Sequence, residues 1–271
     1  MTIEKALRSA VKELSNVAQR PRLEAEILLS CHLNKDRVWL HTNSNKKIGE
    51  FKKFFKLVKR RREYEPIEYI TGRVSFYDIE LEVGAGVLIA RPETELLVDK
   101  AADIIHKYNL KTMCEIGIGS GAVSIMLARF FPKLKIIATD ISEDALSYAK
   151  KNIERYGFKD RIELHKTNLL DGIDENIEII VSNPPYICKE FDLPKPVLYE
   201  PKNALFGGEV GDELLRKIIL TAKGREIAHL VCEMGYDQRE SIFNFCKSIG
   251  LNEPHFYKDL SDLDRGFYLK L

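Results

Sequence analysis

The chain has 271 residues, is 45% hydrophobic and 31% charged, and carries a formal net charge of +1. That length and apolar content support a buried core in one large or two smaller domains. They exclude a helical membrane protein, because no apolar run is long enough to span a bilayer.

The start, Met1-Thr2-Ile3-Glu4-Lys5, is charged and amphipathic and offers no signal-peptide core. Five cysteines without paired spacing read as reduced thiols, so a cytoplasmic protein with no disulfide or metal framework is expected. Charge is unevenly spread: residues 1–75 hold 17 Lys and Arg against 9 Asp and Glu, and the remainder 25 against 32. The densest basic stretch, Lys52 to Arg62, reads equally well as a solvated helix face or as a patch facing nucleic acid or a ribonucleoprotein. Ile3, Leu7, Ala10, Val11, Leu14 and Val17 recur at helical spacing, as do Leu23, Ile27 and Leu28 after Pro21, which suits a first helical turn. Phe51, Phe54, Phe55 and Val58 continue the pattern as core positions. Residues 1–68 are therefore expected to form a bundle of three to five helices. From residue 69 the period changes: 76–83 alternates, and Gly84 and Gly86 lead into Val87-Leu88-Ile89. Residues 69–90 are accordingly expected to be a β-hairpin linking two domains.

Through 91–271, strands are expected at 112–116, 135–139, 161–165, 177–181, 228–233, 255–257 and 267–269, with helices between most of them. This order predicts an α/β domain with a mainly parallel seven-stranded sheet and helices on both faces. The stretch 187–211 is long and rich in Pro and Gly, and reads as a substrate-facing lid.

Two strand ends carry candidate chemistry. After the first comes Glu115-Ile116-Gly117-Ile118-Gly119-Ser120-Gly121, whose glycines let the backbone turn sharply and approach a ligand. Gly117-x-Gly119-x-x-Ala122 also satisfies the dinucleotide fingerprint, which keeps an NAD enzyme in view. Asp140, at the next strand end, accepts hydrogen bonds from ribose hydroxyls on either reading, or else caps the helix that follows. Glu115 suits the cationic methionine end of S-adenosylmethionine (SAM) better than a pyrophosphate. The second strand end is Asn183-Pro184-Pro185-Tyr186. Two prolines stop ladder pairing at once. They hold the Asn183 and Tyr186 side chains and the Pro184 carbonyl stiffly where open α/β sheets bind ligands. An amide oxygen, a rigid carbonyl and an aromatic face together suit a planar NH2 group, which no hydride transfer needs. The plainer reading is a rigid turn with a capping Asn.

An ordered series of motifs resembles the HemK/PrmC family of release-factor glutamine N5-methyltransferases over nearly the whole chain. It runs from Pro66-x-x-Tyr69-Ile70-x-Gly72 and Phe76-Tyr77 to Leu88-Ile89-Ala90-Arg91-Pro92-Glu93-Thr94-Glu95. Glu115–Gly121, Asp140 and Asn183–Tyr186 follow. Tyr199-Glu200-Pro201, Ala204-Leu205, Gly207-Gly208, Glu233-x-Gly235-x-x-Gln238 and Lys258-Asp259-Leu260 with Arg265 complete it. Ala90 departs from a usual proline and Glu115 from a common aspartate.

The resemblance implies a SAM-dependent, Rossmann-like methyltransferase domain at 91–271 and a helical domain that helps recognise the substrate. The implied reaction methylates the Gly-Gly-Gln glutamine of class I peptide chain release factors, modulating translation termination. The site residues it implies are Glu115, Gly117, Ile118, Gly119, Ser120, Gly121, Asp140, Asn168 and Asn183 for SAM. Asn183, Pro184, Pro185 and Tyr186 would hold the substrate, with Asn183, Pro184 and Tyr186 catalytic. Asn168 would lie on the adenine side, at a position that varies in the family. Rival readings are a ribosomal-protein glutamine methyltransferase, a DNA or rRNA amino-methyltransferase, and a non-catalytic RNA-binding protein. A base-methylating enzyme needs a target-recognition region, and the C-terminal part is consumed by the sheet. An RNA-binding protein would leave Asn183–Tyr186 and the glycine turn idle.

Overall fold

The structure, a computed structural model, describes residues 1–271. They pack into two compact units, one made of Met1–Arg73 with Leu193–Tyr199, the other of Val74–Asp192 with Glu200–Leu271.

The first unit holds five helices, α1 (Ile3–Leu14), α2 (Pro21–Leu33), α3 (Arg37–Thr42), α4 (Lys52–Arg62) and α5 (Ile67–Thr71). Their starts are written locally. The Thr2 side chain accepts from the Lys5 amide, Pro21 occupies the first turn of α2, and Asp36 accepts from the Trp39 amide at 2.6 Å. The apolar stripes of α1, α2 and α4 meet in one core in which Ile3, Leu7, Leu28, Leu29 and Phe54 are fully buried. The arginines that end α4 are paired within the unit. Arg60 binds Glu65, Arg61 binds Glu24 at 2.6 Å and Arg62 binds Glu13 at 2.8 Å. Lys52, Lys53 and Lys56 remain exposed on α4. Leu193–Tyr199 is fastened here by the Tyr199 hydroxyl donating to the Glu63 carbonyl at 2.7 Å, and by Lys195 over the Tyr64 ring.

The expected linker differs at both ends. Residues 69–71 are the end of α5, which Gly72 closes at φ +76. Only β1 (Arg73–Phe76) and β2 (Ile79–Glu82) pair, and Val87-Leu88-Ile89 forms no strand.

In the second unit follow α6 (Thr94–Tyr108), β3 (Thr112–Ile116), α7 (Ala122–Phe130), β4 (Lys135–Asp140), α8 (Glu143–Arg155), β5 (Ile162–Lys166), β6 (Ile179–Ser182), β7 (Ile187–Cys188) and β8 (Phe206–Gly208). The chain ends with α9 (Glu213–Gly224), β9 (His229–Glu233), α10 (Arg239–Ser248), β10 (His255–Lys258) and β11 (Asp264–Lys270). The main sheet has seven strands in the order β10-β11-β9-β6-β3-β4-β5. The run from β9 to β5 is parallel, and β11 is antiparallel to β9 and β10. Alternate strand residues serve opposite faces. Met113, Ile179, Val181 and Val231 pack with α6, α7 and α8, whereas Cys114, Ile180, Leu230 and Cys232 pack with α9 and α10. The period of two in a parallel strand is thus hidden inside a continuous apolar run. All five cysteines are free thiols.

The segment 187–211 is less open than the lid reading supposed. Its ends close in a small parallel ladder between β7 and β8, and two short 3-10 turns lie between them.

Candidate active site

Register sets the site. Ile116 pairs with Thr139 on one side and Ser182 on the other, and Ser182 pairs with Cys232. The next residue of each strand therefore falls on one rung at the carboxyl edge, which reads Asp140, Gly117, Asn183, Glu233 across β4, β3, β6 and β9. This is the edge where parallel sheets bind ligands.

A cleft with a cavity volume of about 120 Å³ opens beside it. Gly117, Gly119, Thr139, Asp140, Asn168, Asn183 and Pro185 line it, with Val87 and Leu88. Gly117 and Gly119 sit at φ +76 and +56, and a Cβ on either would meet no atom within 4 Å. Backbone conformation, not crowding, demands glycine there. The turn is tied to the next strand, because the Thr139 carbonyl accepts from the Gly117 and Ile118 amides. Asp140 accepts from the Gly119 amide at 3.1 Å and the Ser142 amide at 2.9 Å. Burial raises its pKa, and those amides oppose the rise. Each carboxylate oxygen keeps a lone pair for a ribose hydroxyl. The buried Thr139 hydroxyl has no partner in the chain. A glycine turn with no side chains in the way, an oriented carboxylate and an unspent hydroxyl fit the nucleoside of SAM.

Other expected contacts fall behind the cleft. Glu115 does not line it. Its buried carboxyl accepts from the Ser124 amide at 2.9 Å and from the Ser124 hydroxyl, capping α7, whose own N-cap residue is Gly121. Burial pushes its pKa up to about 8 against the Ser124 hydrogen bonds. The side chain expected at the methionine end is a helix cap supplied by a strand. Ile118 packs in the core, and the Ser120 carbonyl accepts from Asn152 at 2.9 Å. Gly121 lets α8 approach, since a Cβ there would lie 3.3 Å from Ile125 and 3.6 Å from the Ala149 Cα. These residues shape the turn.

Asn183 is fixed from one side: its Nδ2 donates to Thr94 Oγ1 at 3.0 Å. Neither its Oδ1 nor the Pro184 carbonyl accepts a hydrogen bond from the chain. Tyr186 is half-buried, and its hydroxyl donates to Glu233 Oε1 at 3.0 Å. Burial and the Glu233 carboxyl push its phenol far above the ordinary range. The Tyr186 carbonyl accepts from Gln238 Nε2 at 2.8 Å, while Gln238 Oε1 holds the Gly235 amide. Farther out, Arg91 pairs with buried Glu200, which also accepts from the Ile89 amide at 3.0 Å. The motifs of residues 88–95, 199–201 and 233–238 thus brace one another around the strand-end turn. Thr94 and Glu233 stood in the sequence motifs without a role. A carboxyl directly after the apolar Leu230-Val231-Cys232 of β9 was the available signal.

Known proteins resemble the chain in sequence and in fold. Residues 5–72 match the family described as PrmC N-terminal domain, and residues 92–194 the Methyltransferase small domain. A release factor glutamine methyltransferase of Clostridium acetobutylicum is 34% identical over 98% of this chain and 97% of its own. Another, from Dictyoglomus turgidum, is 42% identical over 81% of this chain and 79% of its own. Among solved structures, the N-terminal domain of human METTL16 in complex with SAH matches with a TM-score of 0.52 at 16% identity, over 80% of each chain. A ribosomal protein L11 methylase from Lactobacillus delbrueckii subsp. bulgaricus matches with a TM-score of 0.51 at 18% identity, over 70% of this chain and 84% of its own. These two likenesses speak to the fold.

Proposed function

The chain belongs to the release factor glutamine methyltransferase family, and we propose on that premise that it methylates the glutamine side-chain nitrogen (N5) in the Gly-Gly-Gln motif of class I peptide chain release factors. SAM supplies an electrophilic methyl group. Asp140 would bind its ribose, the Gly117–Gly119 backbone would lie along it, and Asn168 would flank the adenine.

The difficulty is the nucleophile. An amide nitrogen is a poor one, because its lone pair is delocalised into the carbonyl. The enzyme must therefore hold the amide so that nitrogen faces the methyl group in line. Asn183 Oδ1 and the Pro184 carbonyl can each accept one N–H of the target, which fixes its plane and raises electron density on nitrogen. Tyr186, anchored at its hydroxyl and its carbonyl, would pack against the amide. Positioning of this kind can supply roughly 7–11 kcal/mol of a barrier.

One observation carries the reading: Asn183 is anchored through nitrogen to Thr94, while its oxygen and the adjacent Pro184 carbonyl are both unspent. A capping Asn would spend that oxygen on the chain. The test is incubation with labelled SAM and a class I release factor, duplex DNA or ribosomal RNA. Label should enter the release factor alone, with one methyl on the Gly-Gly-Gln glutamine by mass spectrometry, and replacing that glutamine should abolish it. Asn183→Ala should stop turnover and leave SAM affinity within a few-fold. Label in nucleic acid with none in protein would falsify the proposal.

A further inference from the structure

Glu233 touches neither the cleft nor the expected position of the substrate, yet it ends on the same rung as Asn183 and is 2% exposed. Its Oε1 accepts from Tyr186 and its Oε2 has no hydrogen-bond partner, while the Thr94 hydroxyl is near enough to favour the charged form. Thr94 in turn accepts from Asn183 Nδ2. We propose that Glu233 is a positioning residue whose ionised carboxylate fixes the direction of hydrogen bonding along Asn183, Thr94 and Glu233, and so determines that Asn183 presents oxygen to the substrate amide. This rests on the reading that Asn183 Oδ1 accepts from that amide.

The argument is one of donor count. A carboxylate accepts only, a hydroxyl donates one hydrogen, and a carboxamide can offer either end. With Glu233 ionised, the Thr94 hydrogen turns towards it and the Thr94 lone pairs face Asn183, which must then offer its NH2. The Asn183 oxygen is left facing outward. If Glu233 carries a proton, it can donate to Thr94 itself. The Thr94 hydrogen is then free to point at Asn183, and the carboxamide loses its reason to keep one orientation. Tyr186 shares the same acceptor, so both halves of the clamp depend on one buried group.

The surroundings place that ionisation in a working range. Burial pushes the Glu233 pKa up to about 7, against Thr94, Tyr186 and Arg265, which favour the charged form, while Glu93 opposes it. Tyr257, from β10, also faces it, with its own hydroxyl directed to the Cys232 carbonyl at 3.3 Å. A glutamine amide does not titrate near neutrality, so a pH limb in kcat there reports the protein.

The experiment measures kcat and KM for the release factor from pH 5.5 to 9, with SAM binding by calorimetry, in wild type, Glu233→Gln, Thr94→Val and Thr94→Ser. Wild-type kcat should rise with pH through a midpoint near 7. Glu233→Gln should lower kcat by on the order of 100-fold, the cost of a misplaced reacting group, and its residual activity should lack that limb. Thr94→Val should lower kcat similarly, Thr94→Ser should restore it, and SAM affinity should hold within a few-fold throughout. Wild-type kcat in Glu233→Gln or in Thr94→Val, or an unchanged limb in Glu233→Gln, overturns the proposal. Should Glu233→Gln fail to fold, Thr94→Val against Thr94→Ser decides it. Normal turnover by Asn183→Ala would instead sink the underlying reading of the amide clamp.

Discussion

At the scale of single residues, burial has raised the pKa of the Glu115, Asp140 and Glu233 carboxyls, and the consequence for stability has a definite sign. Glu115 carries a raised pKa of about 8 in the folded chain against an ordinary 4.5. Between those values the folded state holds more protons than the unfolded one. Its contribution to stability is therefore full below the lower value and is lost as pH rises towards the upper one, by up to about 1.4 kcal/mol per pH unit. Glu233 adds a term of the same sign up to about 7. Glu115→Gln keeps an acceptor for Ser124 but cannot ionise. Its melting temperature should fall less than that of wild type between pH 5 and 8, measured by calorimetry. An equal fall in both proteins would show that Glu115 does not titrate in this range. Asp140 answers a different measurement. Asp140→Ala should weaken SAM binding by roughly 1.5–3 kcal/mol, the worth of hydrogen bonds to a charged acceptor, and isothermal titration reads it directly.

At the scale of elements, the Asn183–Tyr186 turn is held by its neighbours' lack of side chains. A Cβ at Gly207 would lie 2.2 Å from the Gly211 carbonyl oxygen and 2.5 Å from that of Pro185. Gly207→Ala must push the turn, because the obstacles are backbone. Turnover should drop by on the order of 100-fold, since displacement of about 1 Å at a reacting group has that effect. SAM affinity should change far less. Single-turnover assays beside calorimetry separate the two, and wild-type turnover would mean that the β7–β8 ladder gives way instead. The sequence made the main sheet legible because its central strands β3, β4, β6 and β9 are short, mostly apolar runs between helices. It did not reveal β7 and β8, because strands of two and three residues have no period to read. The same limit applied inside the site. Asp140, Gly117 and Asn183 could be found as strand ends, whereas the partnership of Thr94 with Asn183 spans 89 positions. Glu115 was harder to read, because a carboxyl at a strand end can face the cleft or turn back to cap the following helix, and here it accepts from Ser124.

At the scale of the molecule, composition suggested a basic domain, and on α4 pairing with acidic residues singles out three lysines. Lys52, Lys53 and Lys56 are the exposed lysines of α4 with no acidic partner in the chain. If the helical unit helps to hold the release factor, the intact factor should be methylated with a higher kcat/KM than a Gly-Gly-Gln peptide. Changing all three lysines to glutamate should then raise KM for the factor and leave the peptide unaffected. Equal effects on both substrates would remove α4 from recognition.

The helical unit also borrows Leu193–Tyr199 from between β7 and β8. Its apolar core lies within the contiguous first 73 residues, and the borrowed segment packs on them from outside. A graft that exchanges residues 1–73 with those of a relative carries the helical core but leaves behind the seven residues that pack on it. Swapped chimeras should recover stability only when both pieces travel together, and the boundary between these units is a pair of coordinated cuts.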